Sequence, residues 1–188
     1  PEMTARKNMT KERSMERIDA IVRDPLFQEC LNKNKQAERG REFCKHNLQH
    51  FVDVSRITYI LALESGRFFN LIEDNKLSGA QAAKEVVYAA GILHDIGRWR
   101  QYETGEDHSV IGAELAAEIL ERTNFTRQEI RVITRAIREH RSQREGMSTL
   151  GELLYRADNL SRDCHECSAK DRCYKFSTME TGNLVLIY

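Results

Sequence analysis

The chain has 188 residues and carries 29 Lys and Arg against 29 Asp and Glu, so no net field draws it onto nucleic acid or a membrane surface. That length holds one domain with a sizeable core rather than two. A composition of 40% apolar and 31% charged residues, with two prolines and ten glycines, excludes a disordered chain and a turn-rich all-β fold.

No stretch approaches the roughly 18 apolar residues of a membrane span. The N-terminal PEMTARKNMTKERSMERI is too charged for a signal peptide. Five cysteines without an export signal suit reduced thiols in the cytoplasm.

The expected elements are nearly all helical. Residues 13–23 form a short amphipathic helix with Met15, Ile18, Ile21 and Val22 on one side. Asp24-Pro25 breaks it, and Pro25 can start the next helix. Segment 26–40 carries Leu26, Phe27 and Leu31 and then turns highly charged up to Gly40. In segment 43–64, Phe43, Leu48, Phe51, Val54, Ile57, Ile60 and Leu61 recur mostly at three and four, which predicts a helix with one buried face. His46 and His50 stand four apart and are expected to share a face of that helix.

Segment 66–77, with Phe68, Phe69, Leu71 and Ile72, reads as a short helix or a packed loop. Ser78 is expected to cap a helix over 79–96, with Gln81 at the capping-box position. The polar span 100–107 is expected to be a loop. A helix over 107–123 follows, then a second capping box, Thr126 with Glu129, for a helix over 127–141. Residues 142–148 read as a loop, 149–162 as a helix, and 164–173 as irregular. The tail NLVLIY, residues 183–188, is the one strand-like piece. There is no repeat or linker. The reading is a single all-α domain: N-terminal helices over 1–42, a core over 43–162, and a cysteine-containing extension over 163–188.

Six histidines are distributed with some order: His46, His50, His94, His108, His140 and His165. His50 sits at the end of the buried stripe of its helix. His94-Asp95 closes one helix, His108 opens the next, and His140 closes the one after. Asp158 follows Leu150, Leu153, Leu154 and Ala157 at the edge of an apolar face. Helix ends converging on one polar pocket would gather imidazole and carboxylate donors. Such a set suits Fe, Mn, Co, Ni or Zn, and Mg stays in the set.

This order, H…HD…H…H…D, resembles the HD-domain superfamily of metal-dependent phosphohydrolases. The likeness rests on His50-Phe51-Val52-Asp53-Val54, on Ala89-Ala90-Gly91-Ile92-Leu93-His94-Asp95-Ile96-Gly97-Arg98, and on Leu154-Tyr155-Arg156-Ala157-Asp158. Two further matches, His108-Ser109-Val110-Ile111-Gly112-Ala113 and Ala136-Ile137-Arg138-Glu139-His140, resemble the extra histidines of dinuclear members. Those include cyclic dinucleotide phosphodiesterases with an HD-GYP motif and symmetrical dinucleoside tetraphosphatases. The Gly-Tyr-Pro element is absent, which argues against the former. His46-Asn47-Leu48-Gln49-His50 is similar to an H-D-x-x-H motif of HD hydrolases, with Asn47 in place of the aspartate.

The resemblance implies an HD-domain helical bundle. It implies His50, His94, Asp95 and Asp158 on a first metal ion, and Asp95, His108 and His140 on a second. One or two divalent ions would then lie about 3.5–4 Å apart, with Asp95 as the bridge and a metal-bound hydroxide attacking phosphorus. His94 and Asp95 would be the catalytic pair. Activity should fall in acid, because only neutral imidazole ligates. Arg98, Arg100, Arg144, His46 and Lys45 are candidates for gripping substrate phosphate. Trp99 and Tyr102 are candidates for stacking on a base or for the core.

Cys164-His165-Glu166-Cys167 with Cys173 makes C-x-x-C-x5-C, one ligand short of a tetrahedral zinc or iron–sulfur site. Cys44, Cys30 or His165 would complete it; the bland alternative is a set of reduced thiols in a surface loop.

The first functional expectation is therefore a phosphohydrolase of a small, nucleotide-type phosphorylated substrate, with no membrane and no long nucleic acid as partner. Assembly as a homo-oligomer is left open. The alternative is a degenerate HD domain that binds a nucleotide or regulates, with cysteines that sense metal or redox state.

Overall fold

A computed structural model describes residues 15–184. The helices are α1 (Glu16–Arg23), α2 (Pro25–Ala37), α3 (Leu48–Glu64), α4 (Arg67–Asp74), α5 (Ala80–Leu93), α6 (Arg98–Thr104), α7 (His108–Arg122), α8 (Arg127–Glu139) and α9 (Thr149–Leu160). Four single-turn 3₁₀ segments follow, between Cys164 and Gly182. Among the described residues there is no strand, so the protein is an all-α single domain.

Helix α5 is the axis of the bundle. Its sequence AQAAKEVVYAAGIL is apolar almost all round and rich in alanine, which suits a helix enclosed by others. It packs against α3 and α8 and touches α1, α4, α7 and α9. Gly91 lets α3 come close: a Cβ there would lie 2.5 Å from the Ser55 backbone Cα. The bundle is completed by α7 on α8 and by α9 against α3 and α8. Arg17 ties α1 to this frame by ion pairs with Glu85 (2.7 Å) and Glu129 (2.9 Å).

Several helix ends follow the sequence signals. Asp24 accepts from the N–H groups of Leu26 and Phe27, with Pro25 in the first turn of α2. Thr126 and Glu129 form the expected capping box of α8.

Other ends differ. Helix α3 starts at Leu48, because the Asn47 side chain accepts from the His50 N–H and so fixes the N-cap. His46 therefore precedes the helix and shares no helical face with His50. Helix α5 starts after Gly79, with no side-chain cap, so Ser78 is not its cap. Residues 98–104 are the helix α6 rather than a loop; Trp99 is buried on it and anchors an otherwise polar segment. Residues 66–77 contain the helix α4. In the expected terminal strand, Asn183 and Leu184 lie outside regular structure. The rest of that strand, 185–188, and residues 13–14 of the first expected helix lie outside the described residues.

No helix among the described residues is long and apolar enough to cross a membrane.

Candidate metal centre

The tight turn after α5 sets the centre. His94 to Gly97 leave the helix and lead directly into α6. Asn34, fully buried on α2, clamps this turn from both sides. Its Nδ2 donates to the Asp95 carbonyl (2.9 Å) and its Oδ1 accepts the Trp99 N–H (2.7 Å). Gly97 is required where the turn meets α7, since a Cβ would lie 2.7 Å from the Gly112 nitrogen.

Four more helix positions aim at Asp95 and its surroundings: His50 in the first turn of α3, His108 at the start of α7, His140 at the end of α8, and Asp158 late in α9. His50, His94, Asp95, His108 and His140 are all buried, while Asp158 is 24% exposed by side chain and faces the opening.

The two Asp95 oxygens face different histidines. Oδ2 lies 3.3 Å from His94 Nε2, and Oδ1 lies 3.1 Å from His108 Nε2 and 3.5 Å from His140 Nε2. Asp158 Oδ1 lies 3.2 Å from His50 Nε2 and 3.8 Å from His94 Nε2. His50, His94, Asp95 and Asp158 thus form one group whose donor atoms lie within 4.8 Å of each other; Asp95, His108 and His140 form another. Asp95 belongs to both.

The opposite ring nitrogens are engaged, which fixes the rings. His94 Nδ1–H donates to the Gly91 carbonyl (2.8 Å) and His140 Nδ1–H to the Ile137 carbonyl (2.6 Å). Carbonyls only accept, so both Nε2 atoms are left for a cation. His108 Nδ1 is 2.6 Å from Gln101 Oε1, and His50 Nδ1 is 3.2 Å from Ser161 Oγ.

The donor set fits a divalent cation. His50 Nε2, His94 Nε2 and Asp95 Oδ1 are buried without a hydrogen-bond partner, despite lying close to one another. Such orphaned atoms are costly unless something satisfies them.

The electrostatics point the same way. Burial pushes the His50 imidazole down to about 4, with Arg162 acting in the same direction, so it is neutral. Burial alone would lower His94 too, but the Asp95 and Asp158 carboxylates outweigh it and lift His94 to about 10. Both carboxylates lie well below their ordinary range: Asp95 because nearby histidines outweigh its burial, Asp158 because Arg162, His50 and His94 do. One proton on His94 partly balances the buried Asp95 and the half-buried Asp158 carboxylates, in the place a cation would take.

His46 reaches the centre from outside the helix. Its Nε2 lies 3.4 Å from Asp95 Oδ2, and its Nδ1 hydrogen-bonds the Glu38 carboxylate. Glu38 also accepts from the His46 N–H and the Tyr102 hydroxyl, both at 2.8 Å. Arg98 Nη1 lies 2.9 Å from His108 Nδ1. Arg162 donates to Asp158 Oδ1 (2.9 Å) and to the Lys45 carbonyl (3.2 Å).

The other sequence candidates stand apart. Arg100 pairs with Glu106 on the surface at 3.1 Å. Arg144 is exposed, and its backbone N–H reaches Met147 Sδ. Lys45 is exposed, with only its carbonyl facing Arg162. Trp99 is core, 8% exposed, with Lys33 over its ring.

Sequence reading missed Arg162, Glu38, Gln101 and Asn34. Arg162 alone had a local signal, standing four residues after Asp158.

Two adjoining cavities open from the centre, of about 710 and 360 Å³. They share His140, Arg141, Asp158, Asn159, Lys175 and Met179. The larger adds Arg67, Tyr155 and Arg156; the smaller adds Arg41, His46, Arg98 and Arg162.

Comparison with known proteins gives the family. The family model described as HD domain matches residues 47–163. An "Uncharacterized protein" of Clostridium beijerinckii is 38% identical over 159 residues, covering 85% of this chain and 92% of its own length. Ribonuclease Y of Enterococcus faecalis is 35% identical over 114 residues, 61% of this chain and 18% of that protein. Ribonuclease Y of Mycoplasma mycoides is 34% identical over 95 residues, 48% of this chain and 21% of that protein. The chain therefore spans only a small part of the length of these ribonuclease Y relatives. No solved structure gives a significant match.

Proposed function

Because this chain belongs to the HD domain family, we propose that it is a metal-dependent phosphohydrolase cleaving a phosphate ester or anhydride of a nucleotide-type substrate. The observation that carries the reading is Asp95, buried and turning one oxygen to each of two histidine groups. A pure scaffold has no use for two such groups sharing a carboxylate, with orphaned nitrogens aimed between them.

His50, His94, Asp95 and Asp158 would hold one ion, and Asp95, His108 and His140 a second. Bound there, divalent cations supply Lewis acidity toward phosphoryl oxygens and lower the pKa of a water.

The remaining work falls to residues of the chain. The backbone carbonyls of Gly91 and Ile137 hold His94 and His140 in one tautomer. Arg162 holds Asp158 and, with Arg98, lines the smaller cavity, where either guanidinium can take a phosphate oxygen. Glu38 turns His46 so that its Nε2 faces Asp95.

Two adjoining cavities at the centre give room for a phosphorus that carries a second substituent, as in a diester or an anhydride, as well as for a terminal monoester. The relatives named Ribonuclease Y support the diester version.

The test is a panel of mononucleotides, cyclic nucleotides, short oligonucleotides, dinucleoside polyphosphates and simple phosphomonoesters. It is run with Mn²⁺, Fe²⁺, Co²⁺ and Mg²⁺ and a chelator control. Turnover that chelator abolishes is expected. Full metal-dependent turnover by Asp95→Ala would overturn the reading.

A further inference from the structure

The motif C-x-x-C-x5-C lacks one ligand, and three residues compete for the place. The structure separates them. Cys30 is buried on α2, with its thiol beside Trp99. Cys44, on the segment between α2 and α3, lines the same cavity as Cys164 and Cys173. Neither His165 nor Cys167 lines it; Cys167 enters through its turn with Cys164, and His165 Nδ1 is buried without a hydrogen-bond partner.

Cys167 is tied to Cys164 by a single turn, its N–H donating to the Cys164 carbonyl at 3.2 Å. Two further turns, Lys170 N–H to the Cys167 carbonyl and Cys173 N–H to the Lys170 carbonyl, bring Cys173 back to that cavity.

The described part of the extension after α9 buries little: among the described residues, Cys164, Ala169 and Thr181 are buried there. Burial on that scale sets little against the conformational entropy lost in ordering these residues. Its ion pair to the preceding segment, Arg172 to Glu42, is exposed on both sides and worth little. Small segments of this kind are held by staples. Four thiolates are soft ligands that suit tetrahedral zinc.

The thiols are gathered but not closed: among the described residues, only the two His/Asp groups bring three donors within 4.8 Å of one another. Closure is what an ion would drive, each ligating thiol giving its proton to solvent.

We propose that Cys44, Cys164, Cys167 and Cys173 form a tetrathiolate zinc site that staples the C-terminal extension to the segment before α3. Tyr174, Lys175 and Met179 of that extension line the smaller cavity, and Lys175 and Met179 line both. The staple thus fixes the wall between the two arms of the cleft. It is separate from the His/Asp centre and stands whether or not that centre hydrolyses phosphate.

The test is zinc content of the full chain by mass spectrometry, for wild type and single variants. Cys44→Ser, Cys164→Ser, Cys167→Ser and Cys173→Ser should each lose one equivalent of zinc. Cys30→Ser, His165→Ala and Asp95→Ala should keep that equivalent. Should a cysteine variant fail to fold, cobalt-substituted wild type reads the number of thiolates from the intensity of the thiolate-to-cobalt charge-transfer band of a tetrahedral site, four being expected. Unchanged zinc in the four variants, no such band, loss of the equivalent in His165→Ala, or iron with acid-labile sulfide in place of zinc would overturn the proposal.

Discussion

Around Asp95, every donor except the turn residue itself hangs on a helix or its cap, packed into the core. Around Cys164, every donor hangs on a turn or an irregular segment, with little buried beneath it. In the first region the apolar bundle orders the ligands before any ion arrives, and hydrogen bonds from Nδ1 aim each Nε2. In the second, Cys164 and Cys173 share a cavity with Cys44 of another segment, and among the described residues no three thiols come within 4.8 Å of one another. The difference is where the ordering free energy comes from: helix packing at the centre, the bound ion itself at the extension.

The comparison breaks first at Asp95. Asp95→Ala removes the one group common to both sets of donors and takes away the carboxylate that faces His94, His108 and His140. Metal affinity at the centre should fall by more than the roughly 100-fold that outer-shell changes cost. Isothermal titration with Mn²⁺ reads this, and an affinity within tenfold of wild type would show that Asp95 is not shared between ions.

Gln101→Ala should cost less, about 10–100-fold, because it leaves the donors in place and loosens the His108 ring and the Arg98 guanidinium beside it. Its effect should be confined to the weaker of two binding events if His108 serves a separate ion. Loss spread equally over both events would merge the two groups into one.

Next comes pH. His94 carries a proton up to about 10 when no cation is present, while His50, at about 4, is already neutral. A cation must displace the His94 proton, so affinity should rise up to tenfold per pH unit between neutrality and about pH 10. Titration in buffers of different ionisation enthalpy should show about one proton released at the centre. Zero release at pH 7 would mean that His94 is not a ligand.

How much of this was legible in the sequence follows the same division. Spacing alone put His94-Asp95, His108 and His140 at helix ends and Asp158 on an apolar edge, because helix periodicity and caps are local. Helix α6 was not legible: RWRQYET is polar, and only the burial of Trp99 against the rest of the fold explains it. His46 looked helical until Asn47 was seen to cap α3. Glu38, Asn34 and Gln101 gave no signal, since a polar residue on a charged helix looks solvated until its distant partner is known. Asn34 meets Asp95 across 61 residues of chain. The open choice among Cys44, Cys30 and His165 likewise turned on which one shares a cavity with Cys164, which spacing does not encode.

The smallest effect expected lies at the start of α7, beside the centre. Asp107 caps that helix by accepting the Ser109 N–H (2.9 Å), and its other oxygen takes Arg141 at 2.7 Å. Asp107→Ala should cost about 1 kcal/mol as a lost cap, which for a domain of this size lowers Tm by about 2–4 °C. Burial would raise the Asp107 carboxyl, but Ser109 and Arg141 outweigh it and hold it at about 2. A carboxylate depressed on folding stabilises above its unfolded value and loses that contribution as pH falls through the folded one. The Tm gap between wild type and variant should therefore hold from neutrality to about pH 4 and close toward pH 2. His108 is the first residue of the helix that Asp107 caps, so the same change should weaken metal at the centre slightly and leave the cysteine-bound equivalent of zinc untouched. A shift in both would mean that centre and extension order as one unit, and the division between them would fall.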